Sequence, residues 1–145
     1  MTTKQIILLL PYEYPFLFVD EILSIDENAV VGTYTYPSSL PFYEGHFKGN
    51  PITPGVILTE TMAQIGVVCL GIYIQNSEQD LQSDIQIAMT SNTMDYFIPV
   101  LPSEKVTVKS TKEYFRFNKL KCKVEMYNEK DQLVCRGTIS GMIKA

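Results

Sequence analysis

Two patterns of apolar and polar positions divide the chain. From Gly55 to about Gln75 the run "GVILTETMAQIGVVCLGIYIQ" is apolar on nearly every face of a helix, and Glu60 is its only charged residue. A helix apolar all round has to be wrapped by other structure. Just ahead of it, Thr53 and Pro54 predict the start, with Thr53 as N-cap and Pro54 as first helical residue. The second pattern has a period of two. In "KLKCKVEMY" (119–127), Leu120, Cys122 and Val124 alternate with Lys119, Lys121 and Lys123, which predicts a strand with one buried face. "IQIAMT" (85–90), "KVTVKST" (105–111) and "LVCRGTISGMI" (133–143) also read as strands. The turn "NEKDQ" (128–132) joins the last of them to 119–127, as in a hairpin. Upstream, "FLFVDEILSI" (16–25) and "AVVGTYTY" (29–36) are two further β segments around a turn at 26–28. "TKQIILLL" (3–10) predicts a short helix closed by Pro11, and the polar "NSEQDLQSD" (76–84) a loop. One buried helix and several antiparallel strands describe an α+β fold in which a sheet wraps a helix. The order of the strands is not encoded in this pattern.

Composition narrows the reading without changing it. With 145 residues, 46% hydrophobic and 19% charged, the chain has the make-up of one globular domain spanning 1–145 rather than of a disordered segment. The net charge of −4 argues against a general nucleic-acid binder, which carries a basic surplus. No apolar stretch is expected to reach the roughly 20 residues of a bilayer span, so no membrane insertion is expected. "IILLL" (6–10) lacks the flanks of a secretory signal. Three widely spaced cysteines, Cys69, Cys122 and Cys135, form no CxxC or zinc pattern. They read as reduced thiols of a cytoplasmic protein with no metal or cofactor.

Candidate chemistry concentrates in "FYEGHFKGNPITPGVILTETMAQ" (42–64). It holds the only histidine, His46, in a loop punctuated by Gly45, Gly49, Pro51, Pro54 and Gly55. Imidazole, with a reference pKa of about 6.5, accepts a proton near neutrality. Taken alone, His46 reads more readily as a loop histidine without a role. Glu60 changes the balance, because a carboxylate within an apolar helix costs several kcal/mol unless it is paired, hydrogen-bonded or protonated. Desolvation raises its pKa and makes it a candidate acid. Gln64, one turn on, is placed to orient it. At the helix start, the amides of Gly55 and Val56 have no partner within the helix and carry the positive end of its dipole. The missing side chain at Gly55 leaves room for a carbonyl. Base, acid and carbonyl-polarising amide are the three parts needed to eliminate water from a 3-hydroxyacyl thioester.

"LLPYEYPFLFVDEIL" (9–23), "GHFKGNPITPGVILTETMAQ" (45–64) and "YFIPVLPSEKV" (96–106) together resemble the 3-hydroxyacyl-[acyl-carrier-protein] dehydratases of the FabZ type. The resemblance covers almost the whole chain. It implies a hotdog fold, a long central helix wrapped by an antiparallel sheet. It implies a homodimer with sites between subunits, with a hexamer (trimer of dimers) as a further assembly, and an acyl carrier protein as partner. It also implies His46 as catalytic base, Glu60 as catalytic acid from the other subunit, and Gly55 as the carbonyl-binding amide. The chain departs from the common family pattern at Tyr12 and Glu13, at Lys48, at Phe97 where arginine is common, and at Pro102-Ser103-Glu104 in place of Pro-Gly-Asp.

Secondary candidates surround this centre. Phe42, Phe47, Met89 and Tyr96 are placed to line an acyl tunnel, or else belong to the core. Lys119, Lys121 and Lys123 form one face of a strand that either docks the acidic carrier protein or is simply solvated. A hotdog acyl thioesterase, or a non-catalytic acyl-carrier-binding hotdog subunit, are the rival readings. His46 argues against the first, and retention of both His46 and Glu60 against the second.

Overall fold

In the computed structural model, which describes residues 1–78 and 85–144, six antiparallel strands form one sheet around a long helix. A short helix α1 (Thr3–Leu8) opens the chain, capped by the Thr2 side chain and Gln5. The strands are β1 (Glu21–Ile25), β2 (Ala29–Thr35), β3 (Gln86–Tyr96), β4 (Lys105–Arg116), β5 (Lys119–Tyr127) and β6 (Leu133–Lys144), in the order β1-β2-β4-β5-β6-β3. The central helix comprises α2 (Gly55–Ala63), a wider π-helical stretch (Gln64–Cys69) and α3 (Leu70–Glu78). It therefore takes in the first residues of the loop expected at 76–84, the rest of which lies outside the described residues.

The helix can lie this deep because glycines remove side chains where it meets the sheet. A β-carbon on Gly32 of β2 would stand 2.8 Å from the Ile65 side chain, and one on Gly66 would stand 3.0 Å from both Ser110 of β4 and Val124 of β5. Ser110 Oγ also donates to the Gly66 carbonyl at 2.9 Å, inserting a strand side chain at the π-helical stretch. Insertions of this kind accompany a local widening of the helix.

The segment 55–76 is long and apolar enough to cross a bilayer, with a mean hydropathy of 1.7 over its richest window, which corrects the expectation that no stretch approaches that length. However, 78% of that window is buried within the fold, so the sheet already covers the apolar surface.

Three further expectations need correction, each for a hydrogen-bonding reason. The β segment expected at 16–25 begins only at Glu21. Ahead of it, Gln64 binds the backbone at Phe16 and Phe18, so those groups do not enter a ladder. The strand expected at 85–90 continues to Tyr96 through the polar "SNTMDY", paired with β6 across a bulge between Met89 and Ser91. Finally, Thr53 does not cap the central helix. Its amide donates to the Val100 carbonyl at 2.8 Å and its hydroxyl shares a 2.5 Å hydrogen bond with Tyr43. Pro54 is the N-cap, Gly55 the first helical residue, and no side chain caps the turn.

Candidate active site

His46 is aimed by a closed turn. Its amide donates to the Phe42 carbonyl at 3.0 Å, its carbonyl accepts from Ile52 at 2.9 Å, and Phe47 and Asn50 exchange backbone hydrogen bonds inside the turn. Gly49 sits at φ 71°, the left-handed region that glycine adopts without cost. Nδ1 of His46 lies 2.7 Å from the Ile52 carbonyl. A carbonyl only accepts, so Nδ1 carries the proton and, in the neutral ring, Nε2 holds the free lone pair. The ring stacks on Phe47 at 3.9 Å.

The uncapped helix start stands beside this imidazole. The first amides with acceptors are Ile57 and Leu58, both on the Pro54 carbonyl. Among the described residues, the amides of Gly55 and Val56 have no acceptor. His46, Thr53, Gly55 and Tyr96 line one hollow of about 320 Å³, together with Phe97 and Pro99. A β-carbon on Gly55 would come within 3.3 Å of the Tyr96 ring, so the glycine makes room for Tyr96 as well as for any carbonyl. The Tyr96 hydroxyl is in turn hydrogen-bonded to Thr59 on the helix. Val56, expected beside Gly55 in the site, is 75% exposed and lines neither hollow.

Glu60 lies on another face of the same helix, in a second hollow of about 40 Å³ with Tyr12, Ala63, Val67, Val68 and Met89 among its walls. Burial pushes its pKa up, and the hydrogen bond from Gln64 partly offsets this. Gln64 is fully buried. Its carbonyl oxygen accepts from the Phe18 amide at 2.8 Å, and Nε2 donates to the Phe16 carbonyl at 2.9 Å and to Glu60 Oε2 at 3.0 Å. With Oε2 occupied as an acceptor, the proton of the acid form resides on Oε1. Tyr12 escaped notice as a wall of this hollow, because in the sequence it marks only a departure from the family pattern. Burial, and then the charge of Glu60, push its phenol up to about 12, which keeps it a neutral donor.

The structure thus gathers His46, Gly55 and Tyr96 in one hollow and Glu60, Gln64 and Met89 around the other, but does not place His46 and Glu60 in the same one. Phe42 packs on the core beside Tyr43, and Phe47, 53% exposed, stacks outside the hollow. Lys119, Lys121 and Lys123 do share one face, opposite the buried Leu120, Cys122 and Val124. That face is turned away from the helix. Lys121 pairs with Glu113 at 3.7 Å, and none of the three lines either hollow. Among the described residues no cluster of histidine, cysteine, aspartate or glutamate is arranged to hold a metal.

Known proteins resemble this chain in sequence and in fold. Residues 10–138 match the family model described as a FabA-like domain. A 3-hydroxyacyl-[acyl-carrier-protein] dehydratase FabZ of Sinorhizobium fredii is 35% identical over 144 residues, covering 97% of this chain and 88% of that protein. The protein of the same name from Ehrlichia canis is 31% identical over 145 residues, covering 97% and 94%. Among solved structures, the dehydratase heterocomplex ApeI:P from Xenorhabdus doucetiae aligns over 100% of this chain and 93% of that chain, with a TM-score of 0.79 at 12% identity. A hypothetical thioesterase protein with coenzyme A from Streptococcus pneumoniae covers 86% and 85%, with a TM-score of 0.62 at 14% identity. At such identities the structural likeness speaks for the hotdog fold alone.

Proposed function

The chain belongs to the FabA-like family, among its 3-hydroxyacyl-[acyl-carrier-protein] dehydratases of the FabZ type, and we propose that it converts (3R)-3-hydroxyacyl thioesters to trans-2-enoyl thioesters with His46 as base and Glu60 as acid. The amides of Gly55 and Val56 receive the thioester carbonyl and hold the enolate-like charge that develops on its oxygen. His46 Nε2 takes the C2 proton. The electron pair left behind becomes the C2–C3 double bond as the C3–O bond breaks. Glu60 Oε1 gives its proton to the departing hydroxyl, which leaves as water. Tyr96 walls the carbonyl end, and Gln64 holds the carboxyl group in the orientation that presents Oε1.

One observation carries the arrangement: His46 and Gly55 line one hollow of a chain while Glu60 lines another. A complete site then needs the acid of a second copy beside the base of the first. The sheet offers the means. Among the described residues, β3 is an eleven-residue edge strand hydrogen-bonded only to β6, whereas the opposite edge, β1, has five residues. A long open edge is a ready template for pairing with another chain. Met89, Tyr96 and Phe97, all on or beside β3, are 40–52% exposed in the single chain and await cover. The homodimer is therefore part of this reading, as is a reducing, cytoplasmic setting for three buried free thiols.

Incubating the protein with a carrier-bound 3-hydroxyacyl chain and weighing the products tests the reaction. Loss of one water from the intact carrier adduct is the expected result. Release of the free acid would replace this reading with thioester hydrolysis, and an unchanged adduct would make the chain a binding subunit.

A further inference from the structure

The loop that carries His46 is closed at its base by a buried pair of hydroxyls. The chain enters the loop from the short 3-10 helix Pro41–Glu44 and leaves it through Thr53 into the central helix. Tyr43 of the first element is 5% exposed and Thr53 3%, and their hydroxyls meet at 2.5 Å. Tyr43 lines neither the hollow of His46 nor that of Glu60. A phenylalanine ring would fill the same core position, so the phenol hydroxyl calls for a reason of its own. An unpaired buried hydroxyl is unfavourable, and each of these two therefore fixes the rotamer of the other.

The helix start supplies that reason. A threonine hydroxyl accepts readily from a free N–H two or three residues further on. At that separation from Thr53 stand the amides of Gly55 and Val56, which have no acceptor among the described residues. Bound to Tyr43, the Thr53 hydroxyl makes no such bond, and no side chain caps the turn. Resting on the dehydratase reading above, we propose that Tyr43 is a positioning residue for the reaction: its hydroxyl holds that of Thr53 away from the helix start and so keeps the carbonyl-binding amides free. Without the phenol hydroxyl, Thr53 is left with a buried group in need of a partner, and the open amides ahead of it supply one. The thioester oxygen then has to displace the Thr53 hydroxyl before it can use that amide. Outright loss of one such donor lowers kcat by about 10²–10³-fold, and a displaceable competitor should lower it by less, at least about tenfold. The Thr53 amide donates to the Val100 carbonyl whatever its side chain does, so the path of the loop behind His46 is kept.

The test measures kcat, KM and Tm at fixed protein concentration for wild type, Tyr43→Phe, Thr53→Val and the double variant, with carrier-bound 3-hydroxybutyryl and 3-hydroxydecanoyl substrates. Tyr43→Phe should lose at least about tenfold in kcat with KM little changed, because the amides act on charge that develops in the transition state. Thr53→Val keeps the branched shape and removes the competing hydroxyl, but strands that of Tyr43 in the core. It should therefore melt below Tyr43→Phe and yet turn over faster, an inversion that a purely structural contact does not give. The double variant should turn over like Thr53→Val, since Tyr43 acts only through the Thr53 hydroxyl, and this comparison stands even where Tyr43→Phe fails to fold. Turnover that follows Tm across the set, or a double variant slower than Thr53→Val, would overturn the assignment and leave the dehydratase reading intact. No dehydration of either substrate by wild type would instead overturn the reading on which it rests.

Discussion

Gln64 is the single side chain that ties the acid to the rest of the fold, and Gln64→Leu isolates its contribution. Leucine has similar bulk, so little cavity opens, and the change falls on three hydrogen bonds. The Phe18 amide belongs to a fully buried residue and loses its only acceptor, which costs about 1–3 kcal/mol for an unsatisfied buried donor. The Phe16 carbonyl and Glu60 Oε2 belong to residues that water reaches, and each loses about 0.5–1 kcal/mol. The sum is about 2–5 kcal/mol, which for a chain of this size lowers Tm by about 6–15 °C. The melt must be run at fixed protein concentration, since the Tm of the proposed dimer depends on it. The same substitution moves a pH limb. Gln64 donates to the carboxylate and so draws the Glu60 pKa down against the effect of burial. Without it the pKa rises further, the acid form persists to higher pH, and the alkaline fall of kcat/KM shifts upward. A melting point within error of wild type would refute the claim that Gln64 pins residues 16–18. A limb that moves down would refute its part in setting the acid.

Other expectations address the reacting groups and the partner. His46→Ala and Glu60→Gln should each lower turnover by about 10²–10⁴-fold in folded protein, and mixing the two should restore activity through heterodimers with one intact site. Subunit exchange without recovery would place both groups in one chain. Because burial raises the Glu60 pKa, wild type holds the stabilisation of the acid form below about pH 4.3 and loses it as pH rises through the raised folded value. Glu60→Gln should thus gain stability relative to wild type between acid and neutral pH, as read by urea titration at both, and a constant difference would contradict the shift. Replacing Lys119, Lys121 and Lys123 with Glu should slow use of carrier-bound substrate, more at low salt, while sparing a short thioester without the carrier. Equal losses on both substrates would mean damage to the strand, and no loss on either would mean that the carrier docks elsewhere.

How much of this was legible in the sequence depends on whether the local pattern or a distant partner decides each conformation. In β5 every second residue packs on the helix and the others meet water, so the period of two stands in the letters and both ends of the strand were placed. The second half of β3 has no such contrast. Residues 91–96 are mostly exposed on both faces in the single chain, and their strand conformation comes from pairing with β6. Residues 16–20 carry a strand-like composition, but a glutamine 46 to 48 residues away claims the Phe16 carbonyl and the Phe18 amide. Thr53 has the chemistry of a cap, yet the Val100 carbonyl and the Tyr43 hydroxyl turn it inward.

That last displacement bears on the chemistry. A threonine capping the helix would occupy one of the amides that the proposed mechanism uses for the carbonyl oxygen. With Thr53 withdrawn, no side chain caps the helix start, and Gly55 lines the hollow that His46 lines. The residue types of the candidate site, His46, Glu60 and Gly55, could be picked out in order along the chain because each is unusual where it stands. Their distribution between two hollows could not. Five residues separate Gly55 from Glu60, which at about 100° per residue puts them some 140° apart around the helix axis. The base sits in the loop entering that helix, so it shares the side of Gly55 rather than that of Glu60. A site that needs both the base and the acid is therefore divided by the helix itself, and a second helix brought alongside is the simplest way to close it.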